Sequence, residues 1–282
     1  MADTAKIVKL KLDIIFKRVF GDSKNDKIIK AFLSALLEIP AQHINAVTIE
    51  NVELPPDELE QKFSRLDLRL DVDGKTVNIE IQVNFQYDYR ERTLFYWSKM
   101  FSNELGSGEE YGSLPQTICI NIVNFNLFGK PEYHSHYSIM DRDTHEILTD
   151  KFAIHFFELK KVGKNRTGKP MDDWINLINA ETEEELMAIQ QTTTIPEVKD
   201  TIVILRELSA DEQLRRLAEM REKRLHDEAS NLNGARREGI QIGIQQGIQQ
   251  GEVKGRNDRD NELIEKWKKK GYSDEQIKEL LS

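Results

Sequence analysis

The 282-residue chain has a single cysteine, Cys119, so no internal disulfide framework can hold it. Cys119 lies between Ile118 and Ile120, which predicts a buried strand thiol rather than a nucleophile. No apolar run approaches the roughly 18–20 residues of a membrane span, so no membrane partner is expected. Met1 to Lys6 lacks the apolar core of a signal peptide, which makes the cytoplasm the expected compartment. Excess positive charge is also lacking: the formal net charge is −9, which gives nucleic-acid binding no overall support. The charge is uneven, however. Residues 1–40 carry Lys6, Lys9, Lys11, Lys17, Arg18, Lys24, Lys27 and Lys30 against five acids. Local basic surface beside an acidic site suits a phosphodiester substrate, and it is also the ordinary solvated face of a helix. With 39% hydrophobic and 32% charged residues, the chain has room for one good-sized domain with appendages, or two small domains.

What is present centres on one hairpin. Leu66 to Val72 alternates apolar and polar residues, Asp73-Gly74 is a favoured two-residue turn, and Val77 to Val83 alternates again. If Asp73 and Gly74 form the turn, Val72 faces Lys75 and Asp67 faces Glu80. Their Cβ atoms would then be about 4.5–5.5 Å apart, an unfavourable placement for like charges. A divalent cation between them reverses the sign of that term, because Mg²⁺ favours carboxylate oxygens. A simpler reading stays open. Arg65, Asp67, Arg69, Asp71, Thr76, Asn78, Glu80 and Gln82 form the polar face of an antiparallel pair, and such faces are commonly solvated.

Elsewhere, residues 9–38 read as helix broken at Gly21-Asp22, and Val47 to Val52 as a strand. Residues 86–105 form an amphipathic helix. Thr117 to Phe125 has the β-branched run of a central buried strand. Tyr133 to Met140 and Phe152 to Leu159 are two further strands. The order α-β-β-β-α-β-β-β predicts an α/β or α+β sandwich. From about 170 the chain turns helical, with Ser209 to Glu212 spaced as a capping box for a helix reaching about 230. Glycine then recurs every four residues at 239, 243, 247, 251 and 255. Each glycine costs a helix about 1 kcal/mol relative to alanine, which favours a flexible tether. Small residues at that spacing also permit close helix contact, which allows a homo-oligomer. Asn261 to Leu281 predicts two short helices split at Gly271, the second capped by Ser273. His134 and His136 have the alternate spacing of two strand ligands, but no third histidine or cysteine lies near in sequence to complete a metal site. His155 reads as packing.

These pieces together resemble the Rpn family of recombination-promoting nucleases, also described as transposases, within the PD-(D/E)XK nuclease superfamily. The resemblance rests on Asp13 to Gly21, on Asp67 with Glu80-Ile81-Gln82, and on Arg92, Tyr96, Trp97, Gly108, Tyr111 and Leu114. It continues through Ile118 to Phe125, His134, Phe157-Glu158-Leu159 and the glycine-periodic tail. It implies an α/β fold: a restriction-endonuclease-like core, with a mixed central sheet flanked by helices, followed by a helical C-terminal region. The expected organisation is a nuclease-like core over 1–165, a helical extension over 166–232, the tether over 233–258 and a helical pair over 259–282.

The same resemblance implies a Mg²⁺-dependent endodeoxyribonuclease acting on DNA with low sequence specificity and promoting recombination or mobility, with Mn²⁺ or Ca²⁺ as alternative ions. Asp67 and Glu80 would ligate the metal with the Ile81 carbonyl. Gln82 stands where most of the superfamily has lysine, and a neutral amide can only hydrogen-bond. The charge-stabilising role then falls to Lys17, one turn beyond Asp13. Asp13 itself would approach the site from the first helix and touch a metal or its water, although a plain helix-face carboxylate is the simpler reading of that residue. Arg92 and Tyr96 lie four apart on one helix face and would meet DNA phosphate, although a structural role suits Tyr96 equally. The alternative function is a catalytically weak or inactive relative serving DNA binding or assembly.

Overall fold

The computed structural model describes residues 7–49, 68–163 and 167–281. Six strands form one mixed sheet in the order β1-β2-β3-β4-β6-β5. They are β1 (Val47–Ile49), β2 (Leu68–Val72), β3 (Lys75–Gln82), β4 (Thr117–Val123), β5 (His134–Tyr137) and β6 (Phe152–Glu158). Strands β3, β4 and β6 run parallel, and the outer pairings are antiparallel. Parallel neighbours need a crossover, and helix α3 (Tyr89–Asn103) lies between β3 and β4 in the chain. All seven residues of β4 are buried, as its nearly continuous β-branched run predicts.

Alternation along the strands divides the core in two. Leu68, Leu70, Val77, Ile79, Ile118, Ile120 and Phe157 belong to the larger part, with α1 (Asp13–Phe20), α2 (Asp26–Leu37), α4 (Met171–Asn179), α5 (Glu183–Thr192) and α6 (Pro196–Ala210). At its centre Phe20 stacks on Phe32 at 4.4 Å, and Trp174 meets Phe32 edge-on at 5.4 Å. Each such buried ring stabilises the fold by roughly 2 kcal/mol. Cys119, Val123, Phe152, Ile154 and Phe156 form the smaller part with Tyr89 of α3.

The chain divides into two units, Met1–His226 and Asp227–Ser282. Helix α7 spans Glu212–Lys269, so residues expected as a tether over 233–258 are helical. No proline follows Pro196, and glutamine, glutamate and arginine between the glycines are good helix formers. Ser209 does not cap this helix. It lies inside α6, where its hydroxyl donates to the Leu205 carbonyl and accepts from the Val8 amide. Asp211 performs the capping, accepting from the Leu214 amide at 3.0 Å. Of the two short helices expected over Asn261 to Leu281, the first is instead the end of α7, whereas the break at Gly271, φ 86°, and the reciprocal Ser273–Gln276 cap opening α8 (Asp274–Leu281) are as expected. No described helix is long and apolar enough to cross a membrane.

His134, His136 and His155 stack across β5 and β6, with ring centroids 4.1 Å apart for His136 and His155. Among the described residues no group of three or more histidines, cysteines or acids is arranged to hold a metal. Burial is the main reason His155 titrates at about 3 and His134 at about 4, with neighbouring ring charge adding to it. Because both folded values lie below the ordinary 6.5, the unfolded chain takes up protons first as pH falls. Their contribution is therefore complete above about pH 6.5 and is lost as pH falls towards 4 and below. The melting temperature is expected to drop between pH 6.5 and 4.5, and to drop less steeply in His155→Phe; equal slopes would refute the histidine origin.

Candidate active site

The hairpin turn sets the geometry. Asp73 and Gly74 both take positive φ, 53° and 77°, as a type I′ turn requires. The Asp73 carboxylate accepts the amides of Ala46 and Asn45, each at 3.0 Å, which ties the turn to the entry of β1. Those two bonds, Ala46's first, hold its pKa below the usual carboxylate value. From Val72 opposite Lys75, the pairing runs without a slip to Leu68 opposite Ile79. That is the register the sequence predicts. Glu80 is the next residue of β3; Asp67, expected opposite it, lies outside the described residues.

The polar face of β3 is not solvated. Thr76, Asn78 and Glu80 are each about 5–6% exposed, and α3 packs on β4 beside them. Trp97 donates to the Thr117 carbonyl at 2.8 Å, and both Tyr89 and Thr93 donate to the Asn121 side chain at 3.2 Å. Asn121 pairs with Glu80 across β3 and β4. A buried carboxylate needs a partner, and Arg92 of α3 donates one Nη to Glu80 and the other to Gln86. The Arg92 guanidinium also lies 5.5 Å from the Tyr96 ring centre, which brings those two residues together as their spacing predicts.

Gln82 donates from Nε2 to the Asn84 carbonyl at 3.1 Å, and Asn84 donates from Nδ2 to the Leu225 carbonyl of α7 at 2.9 Å. Asp13 opens α1 and is 8% exposed. Arg221, one turn before Leu225, grips it by one edge: Nε at 2.9 and 3.1 Å and Nη2 at 2.7 Å. The Ile14 amide adds a fourth bond at 3.0 Å. Lys17 is likewise buried, on the helix face that Asp13 shares. A Cβ at Gly21 would meet the Lys17 carbonyl at 2.5 Å, with Lys17 Cγ at 3.3 Å and Leu68 Cδ1 at 3.5 Å. The lysine stem therefore passes close to the start of β2, and glycine is needed for that approach.

Three residues of this arrangement, Arg221, Asn84 and Asn121, carry no sequence signal. Arg221 lies 208 positions from the acid it binds, and the register that pairs Asn121 with Glu80 is non-local. Conversely, Phe157-Glu158-Leu159 has a structural role. Glu158 is fully buried and accepts the Leu127 and Phe128 amides at 2.5 and 3.1 Å and Lys161 Nζ at 2.7 Å, which anchors the loop after β4.

A family model described as PD-(D/E)XK nuclease family transposase matches residues 10–235. No curated protein and no solved structure matches the chain.

The Glu80–Arg92 pair makes a stability prediction. Arg92→Ala is expected to cost roughly 2 kcal/mol in urea unfolding, since it removes charge-assisted bonds to a buried carboxylate. Arg92→Lys should recover only part, because an ammonium cannot reproduce a fork shared between Gln86 and Glu80. Full recovery by lysine would show that charge alone, and not the fork, holds Glu80.

Proposed function

The chain belongs to the PD-(D/E)XK nuclease family of transposases, and on that premise we propose that it is a divalent-metal-dependent endodeoxyribonuclease. It cuts phosphodiester bonds in DNA with low sequence specificity, and the cuts promote recombination or DNA mobility. One observation carries this reading: Glu80 is a carboxylate 6% exposed to solvent at the end of a hairpin in the register the reading requires. The sequence reading sets Asp67 opposite it.

Nucleases of this family generally use divalent ions, and the donors proposed here fit one. Asp67, Glu80 and the Ile81 carbonyl are all oxygen ligands, the chemistry that suits Mg²⁺, Mn²⁺ or Ca²⁺ over softer metals. Such an ion, when bound, supplies an acidified water and neutralises phosphate charge. The protein's own residues do the rest. Glu80 would hold the ion together with Asp67 and the Ile81 carbonyl, and Arg92, beside Tyr96, would meet the DNA backbone. Gln82 orients the attacking water by hydrogen bonding. Lys17 brings positive charge from α1 to the phosphate, whose charge grows as the bond to the leaving oxygen breaks.

A second reading is favoured by Gln82 itself. Its neutral amide cannot take the charge role of lysine, and a catalytically weak relative that binds DNA or assembles through its tail is consistent with that. In the tail Ile240, Ile244 and Ile248, four apart on one face of α7, are exposed, a surface suited to a homo-oligomer.

Supercoiled plasmid nicking separates the two. Purified protein with Mg²⁺ is expected to nick, and EDTA, Asp67→Ala or Glu80→Ala each to abolish nicking. Folded protein that leaves the plasmid intact with Mg²⁺, Mn²⁺ and Ca²⁺ would support the second reading.

A further inference from the structure

The charge role that Gln82 vacates has a second claimant besides Lys17. Arg221 lies on α7, outside the strands of the sheet, yet it is only 12% exposed and bonded through its Nε and Nη2 edge to Asp13. The same helix is fixed one turn later to the end of β3, where Asn84 links the Leu225 carbonyl to Gln82. Two independent contacts, one to α1 and one to the residues after Glu80, thus seat this turn of α7 beside the candidate site. Lys9 adds a third through its ion pair with Glu222.

Both oxygens of Asp13 are engaged. Arg221 brings two N–H groups, the Nε–H shared between Oδ1 and Oδ2 and an Nη2–H on Oδ2, and the Ile14 amide brings a third to Oδ1. Such a carboxylate is suited to aiming a guanidinium rather than to ligating a metal. An arginine held by a bidentate carboxylate has its direction fixed before substrate arrives, and a fixed charge costs no reorganisation when charge develops on phosphate.

We propose that Arg221 is a catalytic residue that stabilises charge on the phosphate undergoing cleavage, and that Asp13 is the positioning residue that aims it. The proposal rests on the nuclease reading above. It makes the turn of α7 around residue 221 part of the active site rather than an appendage.

The test is single-turnover cleavage of a labelled duplex by the full chain with Mg²⁺, alongside DNA affinity measured by fluorescence anisotropy in Ca²⁺. Arg221→Ala is expected to slow cleavage by about 10²–10³-fold, the usual loss of one stabilising donor, with DNA affinity changed less than about threefold. Added guanidinium should restore part of the rate, which a purely structural defect would not allow. Arg221→Lys should fall between, at least about tenfold below the parent because an ammonium lacks the aimed fork, and it keeps the test open should the alanine variant fail to fold. Asp13→Asn should lose a similar factor, and the double variant should be no worse than the weaker single variant. A rate within about threefold of the parent for folded Arg221→Ala or Arg221→Lys, or losses that multiply in the double variant, would overturn the proposal while the nuclease reading stood. A tenfold weaker DNA affinity with an unchanged cleavage rate would overturn it too, by making Arg221 an anchor. Absence of cleavage by the parent protein would instead remove the nuclease reading and this proposal with it.

Discussion

The hairpin register is the constraint on which the site depends. Because side chains alternate with a period of two, a slip of one residue between β2 and β3 would turn Glu80 away from α3 and put Ile79 and Ile81 in its place. Three local features prevent that slip. Asp73 and Gly74 accept the positive φ of a tight turn, the Asp73 carboxylate fastens the turn to Asn45 and Ala46, and Leu68, Leu70, Val77 and Ile79 bury on one face. The turn lies at the far end of β3 from Glu80. Its effect reaches the site through the strand, without any direct contact.

Burying acids has an electrostatic consequence that the fold answers in a consistent way. Glu80 and Asp13 are both nearly excluded from solvent, and each is met by an arginine from a helix: Arg92 of α3 and Arg221 of α7. An isolated buried carboxylate would be protonated or would destabilise the fold. A planar guanidinium fork can satisfy the carboxylate and remain a directed donor. Gln82 and Asn84 extend the same logic with neutral amides, tying β3 to α7 without adding charge. The structural acids of the chain use other means. Asp172 accepts from Tyr133, Thr167 and Gly168, and these bonds outweigh burial to keep its pKa low.

Much of this was legible in the sequence, and the legible part was local. The Asp73-Gly74 turn, the alternation around it, the buried run of β4 and the break at Gly271 all follow from short-range rules. The resemblance carried by Asp13, Glu80 and the later strands anticipated the mixed sheet flanked by helices. What was hidden depends on contacts between distant parts of the chain. Alternation alone could not say that the polar face of β3 is buried, so Asn78 and Glu80 could pass for solvated residues. Nothing near Arg221 announces that its partner is Asp13. Phe157-Glu158-Leu159 could be recognised as a motif, but only the amides of Leu127 and Phe128 reveal that Glu158 anchors a loop. The helical glycine repeat of α7 escaped a reading by propensity, which weighs each glycine singly and does not see the strong helix formers around it as a run.

Under the proposed nuclease function, Glu80 and Asp67 would share one divalent ion at the end of the hairpin. Anomalous diffraction from crystals soaked in Mn²⁺ is the sharpest test. The expected result is one anomalous peak within bonding distance of both carboxylates, with Arg92 displaced from Glu80. A saturated soak with no peak there, and Arg92 still on Glu80, would contradict it.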